Sequence, residues 1–273
     1  MTEPAQNFAV IGLPGSGKTT YLAALYHALA DSSVPPKLQQ LPKQRAYLEQ
    51  IRESWLAGEA VDRTAVGTGE VIELDADFGP NRLVVRIPDI SGESFTEGLV
   101  TRMVDTALAD VFRRCSGLLL FAHPHDLRPR VLIPNAEALG LCSAPLDDQA
   151  ESVIGIFDPG KIPNEVQLVD LLQWVSGLAG SINNRRVALV ISAWDELIDI
   201  ATPEQWFHQM PMLRQFFQTS DKYTLRVFGV SAQGGTYEGD NPAKISPSVR
   251  PFVVTEEGTR SNDISLPLRW ISE

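Results

Sequence analysis

The chain is 273 residues long, 44% hydrophobic and 21% charged, with a formal net charge of -11 and a pI near 4.9. That balance is ordinary for a globular fold and excludes broad electrostatic attachment to nucleic acid or an anionic membrane surface, but not a nucleotide, whose phosphates are gripped by local backbone N–H groups. The two cysteines, Cys115 and Cys142, offer neither a disulfide framework nor a metal-ligand spacing; residues 1–7 carry no leader pattern and no apolar run approaches the ~20 residues that cross a bilayer, so the expectation is a cytoplasmic chain with no membrane span.

Residues 8–11 form an apolar run closed by Gly12, and residues 20–30 are rich in Ala and Leu. The expected order is buried strand, loop, helix. Residues 43–57 place Tyr47, Leu48, Ile51 and Trp55 at three- and four-residue spacings, the pattern of an amphipathic helix. Residues 71–74 and 83–87 read as extended segments around an Asp-Phe-Gly-Pro-Asn turn at 77–81, a hairpin. Residues 99–114 are helical by pattern, 118–122 are a short buried strand and 166–178 a helix; then come a buried strand at 187–192, a helix at 203–218 and a strand at 223–230. The stretch 123–164 is Pro-rich with little periodicity and reads as an insertion. The stretch from 234 to 273 reads as an irregular extension with a short helix near 266–271. Apolar strands separated by helices predict an α/β fold, a three-layer, mostly parallel sheet with helices on both faces, here as one domain over 1–273.

Residues 12–19, Gly-Leu-Pro-Gly-Ser-Gly-Lys-Thr, satisfy the phosphate-loop pattern G-x-x-x-x-G-K-[ST] between a strand and a helix, the context that the pattern requires. The glycines let the backbone curl so that successive N–H groups face a phosphate, and the helix start adds its positive end. Gly12, Pro14, Gly15, Ser16, Gly17, Lys18, Thr19 and Thr20 are the expected nucleotide contacts. Lys18 would reach the β- and γ-oxygens, and Thr19 would ligate Mg²⁺.

A second segment, Ile87-Pro88-Asp89-Ile90-Ser91-Gly92-Glu93, brings Asp89 to the end of an apolar strand, where ligands bind in open α/β sheets. Asp89 is the expected second Mg²⁺ partner, and Gly92 would let a backbone N–H sense the γ-phosphate. Pro88 and Gly92 would also simply end a strand.

In order, the phosphate loop, Asp89-x-x-Gly92, Ser192-Ala193-Trp194-Asp195 after a strand, and Ser231-Ala232-Gln233 after another resemble the motif series of translation-factor-like and Ras-like P-loop GTPases. The series looks most like the bacterial double-GTPase group, whose domains are encoded near others in regulatory or conflict-type gene clusters. The resemblance spans residues 12–233. It implies that Asp195 accepts the guanine N1–H and N2 amine, which adenine cannot offer, with Ser192 and Ala193 standing where the family has asparagine and lysine. Asp195 also suits a helix N-cap. Ser231, Ala232 and Gln233 stand for a Ser-Ala-Lys turn that frames the base through backbone N–H groups. Glu93 takes the place of a water-orienting glutamine, or is a solvated acid at a helix N-terminus. The threonine that closes over Mg²⁺ is Thr64, with Thr68 as the alternative; Arg63 is an internal arginine finger or a surface residue. The catalytic set is thus Lys18, Thr64 and Glu93.

The implied function is a Mg²⁺-dependent molecular switch that binds GTP and GDP in preference to ATP, hydrolyses GTP slowly and signals to protein partners. The rivals are an ATP-using P-loop enzyme, for which Arg128 and Arg130 in the insertion would serve a kinase lid, and a scaffold that binds nucleotide only for stability.

Overall fold

The computed structural model describes residues 5–61, 71–88, 98, 101, 103–124, 162–178, 184–235 and 242–273. Its first strand, β1 (Gln6–Gly12), sends Phe8 and Val10 into one apolar core and Ala9 and Ile11 into another, as the two-residue period of a strand dictates. β5 (Gly117–Ala122) and β6 (Arg185–Ile191) divide their side chains in the same way. Strands buried on both faces need helices on both faces. α1 (Lys18–Ala30), α2 (Arg45–Ala57) and α7 (Leu266–Ser272) cover one; α3 (Thr106–Arg114), α4 (Asn164–Leu178), α5 (Pro203–Phe207) and α6 (Pro211–Thr219) cover the other. This is the three-layer α/β architecture expected from the sequence.

β1 runs parallel to β4 (Arg82–Pro88) and to β5, β5 to β6, and β6 to β7 (Tyr223–Ser231). Antiparallel strands widen the sheet on both sides: β2 (Lys37–Leu38) and β3 (Val71–Asp77) on one, β8 (Phe252–Val254) and β9 (Arg260–Ser261) on the other. Among the described residues the result is a nine-stranded sheet in the order β2-β3-β4-β1-β5-β6-β7-β8-β9. The parallel strands share one direction, so the loops that leave β1, β6 and β7 emerge along the same edge, where ligands bind in such sheets.

The β3–β4 hairpin matches its expected turn: Phe78 N donates to Asn81 O at 2.9 Å and Gly79 N to Asp77 Oδ1 at 2.8 Å. Three expectations need correction. The helix expected over 99–114 is interrupted, since residues 103–105 are not helical and α3 begins only after Asp105, whose side chain accepts from Ala107 N at 2.7 Å; a local Asp cap outcompetes continuation. The helix expected over 203–218 is two, α5 and α6, because Pro211 lacks the N–H and its ring clashes with the preceding turn. The extension from 234 to 273 is not irregular throughout: β8 pairs with the end of β7, β9 pairs with β8, and Ile264, Leu268 and Ile271 enter the core. Of the 123–164 insertion, residues 125–161 lie outside the described residues. Among the described residues no helix is long and apolar enough to cross a membrane.

Candidate functional site

The loop after β1 is shaped by three glycines in the left-handed half of φ space: Gly12 at 151°, Gly15 at 78° and Gly17 at 83°. Each answers a different need. A Cβ on Gly12 would lie 2.6 Å from the carbonyl oxygen of Phe121, since β1 and β5 approach too closely there for any side chain. A Cβ on Gly17 would lie 2.8 Å from Ser192 Cβ, so the phosphate loop is seated against the residue that follows β6. A Cβ on Gly15 would meet nothing within 4 Å; there the backbone turn alone requires glycine.

Gly17 is the N-cap of α1, which has no side-chain cap and no acid in its first turn. Its first-turn N–H groups have no intrahelical acceptor, and no acid within that turn offsets the positive end of the helix. A chain of net charge -11 thus keeps one spot suited to an anion. Lys18 folds back over the loop, its Nζ donating to Gly12 O at 3.0 Å, Leu13 O at 2.7 Å and Ser16 Oγ at 3.2 Å. Ser16 is buried. Beside the loop lies an open cleft whose walls include Thr19 and Thr20, Tyr47 of α2, Ile72 of β3, and Ile87 and Pro88 at the end of β4. Asp89, Gly92 and Glu93 lie outside the described residues, as do Arg63, Thr64, Thr68, Arg128 and Arg130.

Two further loops stand on the same edge. After β6, Ser192 directs both its N–H (3.0 Å) and its hydroxyl (3.3 Å) to Ala122 O. Ala193 takes the left-handed conformation at φ 45°, and a short 3-10 turn, Trp194–Glu196, follows. Trp194 packs so closely on the β7 backbone that a Cβ on Gly229 would fall 2.3 Å from the indole. Asp195 sits inside this turn, half-buried, and among the described residues its carboxylate takes part in no hydrogen bond or ion pair. The N-cap alternative for Asp195 fails: the cap position of the turn is Ala193, and α5 is capped by Thr202, whose side chain accepts from Gln205 N.

After β7, Ser231, Ala232 and Gln233 are all buried. Ser231 Oγ accepts from Gly234 N at 3.0 Å, and Ala232 O accepts from the indole N–H of Trp55 at 2.9 Å. The amide oxygen and nitrogen of Gln233 are buried without a hydrogen-bond partner among the described residues.

Sequence reasoning missed the residues that hold these loops from behind. Trp55 reads as one apolar position of an amphipathic helix, and Arg250 as part of a loop, yet Arg250 is only 2% exposed. Its guanidinium lies 4.6 Å from the centre of the Trp55 ring and donates to Trp55 O at 2.5 Å and Leu56 O at 3.3 Å. Burial pulls its pKa below the ordinary guanidinium range. No local signal announces such contacts, since the partners are 195 positions apart.

The donor set fits a nucleoside triphosphate with its cation. The Gly15–Gly17 backbone, Lys18 and Thr19 at the start of α1 line the same cleft. Among the described residues no three His, Cys, Asp or Glu side chains gather around a metal position. Mg²⁺ does not demand such a cage, since beside phosphates it takes only one or two protein oxygens.

A comparison with curated proteins finds no match. Among solved structures, the Arl6 BBS3 small GTPase from Trypanosoma brucei, recorded with a bound nucleotide analogue GppNp, is similar at a TM-score of 0.44 and 10% identity, over 98% of this chain and 96% of that one. Residues 9–271 match the family described as Double-GTPase 1. With a match over nearly its whole length, this chain belongs to the Double-GTPase 1 family.

Proposed function

We propose that the protein is a Mg²⁺-dependent GTP-binding switch that hydrolyses GTP slowly and presents different surfaces to protein partners in its GTP and GDP states. The observation that carries this reading is the Gly12-Gly15-Gly17 cradle at the uncapped start of α1, with Lys18 folded over it. Membership of the Double-GTPase 1 family supports a guanine base.

In this reading the cradle N–H groups bind the β-phosphate, and the Lys18 ammonium leaves the carbonyls of Gly12 and Leu13 for the β- and γ-oxygens. Thr19 and Asp89 hold Mg²⁺, which when bound offsets phosphate charge. Gly92 and Thr64 sense the γ-phosphate, and Glu93 orients water. Asp195 accepts the N1–H and N2 amine of guanine; that its carboxylate is half-buried and unpaired among the described residues supports this role. The Ser231–Gln233 turn faces the other edge of the base.

Titration calorimetry of GTP, GDP and ATP, with and without Mg²⁺, on the wild type and Asp195→Asn tests the proposal. GTP is expected to bind at least about tenfold more tightly than ATP, and Asp195→Asn should remove that preference, a change of about 1.4 kcal/mol. Preference for ATP would favour the ATP-using enzyme, and no binding of any purine nucleotide would end the reading.

A further inference from the structure

We infer that Trp55 is a positioning residue for the nucleotide base, acting from α2 through the backbone of the turn after β7. This rests on the reading of Ser231–Gln233 as the base-framing turn.

α2 packs against α1 and reaches the turn after β7. Toward α1, Arg52 donates to His27 Nδ1 at 3.1 Å and pairs with Asp31 at 2.7 Å, while Tyr26 donates to Glu49 at 2.8 Å. Toward β7, the Trp55 indole N–H donates to Ala232 O at 2.9 Å. Trp55 is fully buried, 5.1 Å from the His27 ring between centroids, with the Arg250 guanidinium 4.6 Å from its ring centre. The hydrogen bond to Ala232 O fixes where its N–H points.

The Ala232–Gln233 peptide is trans. In a trans peptide the carbonyl and the following N–H point in opposite directions across one rigid plane. Fixing Ala232 O on the Trp55 indole therefore aims the Gln233 N–H away from α2. Among the described residues that N–H meets no backbone acceptor. The rest of the turn is held so that the plane cannot flip: Ser231 Oγ takes the Gly234 N–H, and Gly234, at φ 75°, lies against Arg250, whose carbonyl oxygen would be 2.3 Å from any Cβ there. The indole thus orients a donor that, with Ser231–Gln233 read as the base-framing turn, would meet the base.

The readout that separates positioning from simple support is the contrast between a ligand with a base and one without. Calorimetry is run with GDP and with inorganic pyrophosphate, both with Mg²⁺, on the wild type and on Trp55→Phe, which keeps a ring but loses the donor. Trp55→Phe is expected to bind GDP about fivefold more weakly, the size of one net hydrogen bond, with pyrophosphate affinity unchanged. Should Trp55→Phe fail to fold, replacing Trp55 by its benzothiophene isostere, in which sulfur stands for the N–H, carries the same comparison at constant volume. GDP affinity equal to wild type, or an equal loss for both ligands, overturns the inference about Trp55 alone. A wild type that binds GDP no more tightly than pyrophosphate overturns the base-site reading beneath it, and the inference with it.

Discussion

Gly17→Ala acts on the phosphate loop in two separable ways. The first is conformational: φ at this position is 83°, and an L-residue there costs about 1–2 kcal/mol. The second is steric. The new methyl carbon would lie 2.8 Å from Ser192 Cβ and 3.0 Å from its Oγ. Ser192 cannot retreat cheaply, because its N–H and its hydroxyl are both tied to Ala122 O and it is buried. Overpacking of this kind adds about 1–3 kcal/mol. The expected loss is therefore about 2–5 kcal/mol, a large share of the stability of an ordinary domain.

Ser192→Gly removes both offending atoms and leaves the backbone conformation untouched. In that background Gly17→Ala should cost only the conformational part, about 1–2 kcal/mol. Urea unfolding of the four proteins in the cycle measures the coupling directly, provided that the slopes with denaturant agree. GTP titration should follow the same order, with Gly17→Ala weakest and the double variant partly restored. A zero coupling, with alanine equally costly in both backgrounds, would refute the claim that the phosphate loop is seated on the residue after β6.

Two shorter expectations follow from the same geometry. Lys18→Met removes the ammonium that bridges Gly12 O, Leu13 O and Ser16 Oγ; GTP affinity by calorimetry should fall at least about tenfold, and an unchanged affinity contradicts its phosphate role. Burial, followed by the opposing pull of Asp31 and the repulsion of Arg52 and Arg250, leaves the pKa of His27 below its ordinary value of 6.5. The unfolded chain then binds the proton first, so stability is complete above that value and declines as pH falls through it toward the folded pKa. Urea midpoints should drop more for the wild type than for His27→Gln between about pH 7.5 and about pH 5.5; equal drops would remove His27 from the account.

What the sequence displayed was whatever is encoded locally. β1, β5 and β6 each hold a continuous apolar run, and the 12–19 loop is a complete pattern in the right setting, so both could be read directly. Periodicity failed where one residue overrides a pattern: Asp105 caps α3 and Pro211 divides α5 from α6. It also failed where a strand exists only through its partner. Phe252–Val254 is three residues long and becomes β8 because Gly229–Ser231 offers it an edge. The same limit hides Trp55 and Arg250. Each obeys a bland local rule, while the contact of Trp55 with the turn after β7 spans 177 positions and that of Arg250 with Trp55 spans 195.

Ser192 and Ala193, which the sequence resemblance sets where asparagine and lysine are expected, each have a physical role in the fold. Ser192 occupies a place where a Cβ on Gly17 would be only 2.8 Å away, so this position serves as a floor for the phosphate loop. Ala193 bends through φ 45°, a conformation that costs a non-glycine residue about 1–2 kcal/mol. The bend places Trp194 on the bare backbone of Gly229, where a methyl group would be 2.3 Å from the ring. With Trp194 driven inward, Asp195 is left at the surface side of the turn with no partner among the described residues. A strained backbone, an anchored indole and a half-buried carboxylate thus meet in one short turn. Under the proposed function Asp195 would meet the base from this rigid mount, which packs through Ser192 against Gly17 of the phosphate loop and through Trp194 against Gly229 of β7.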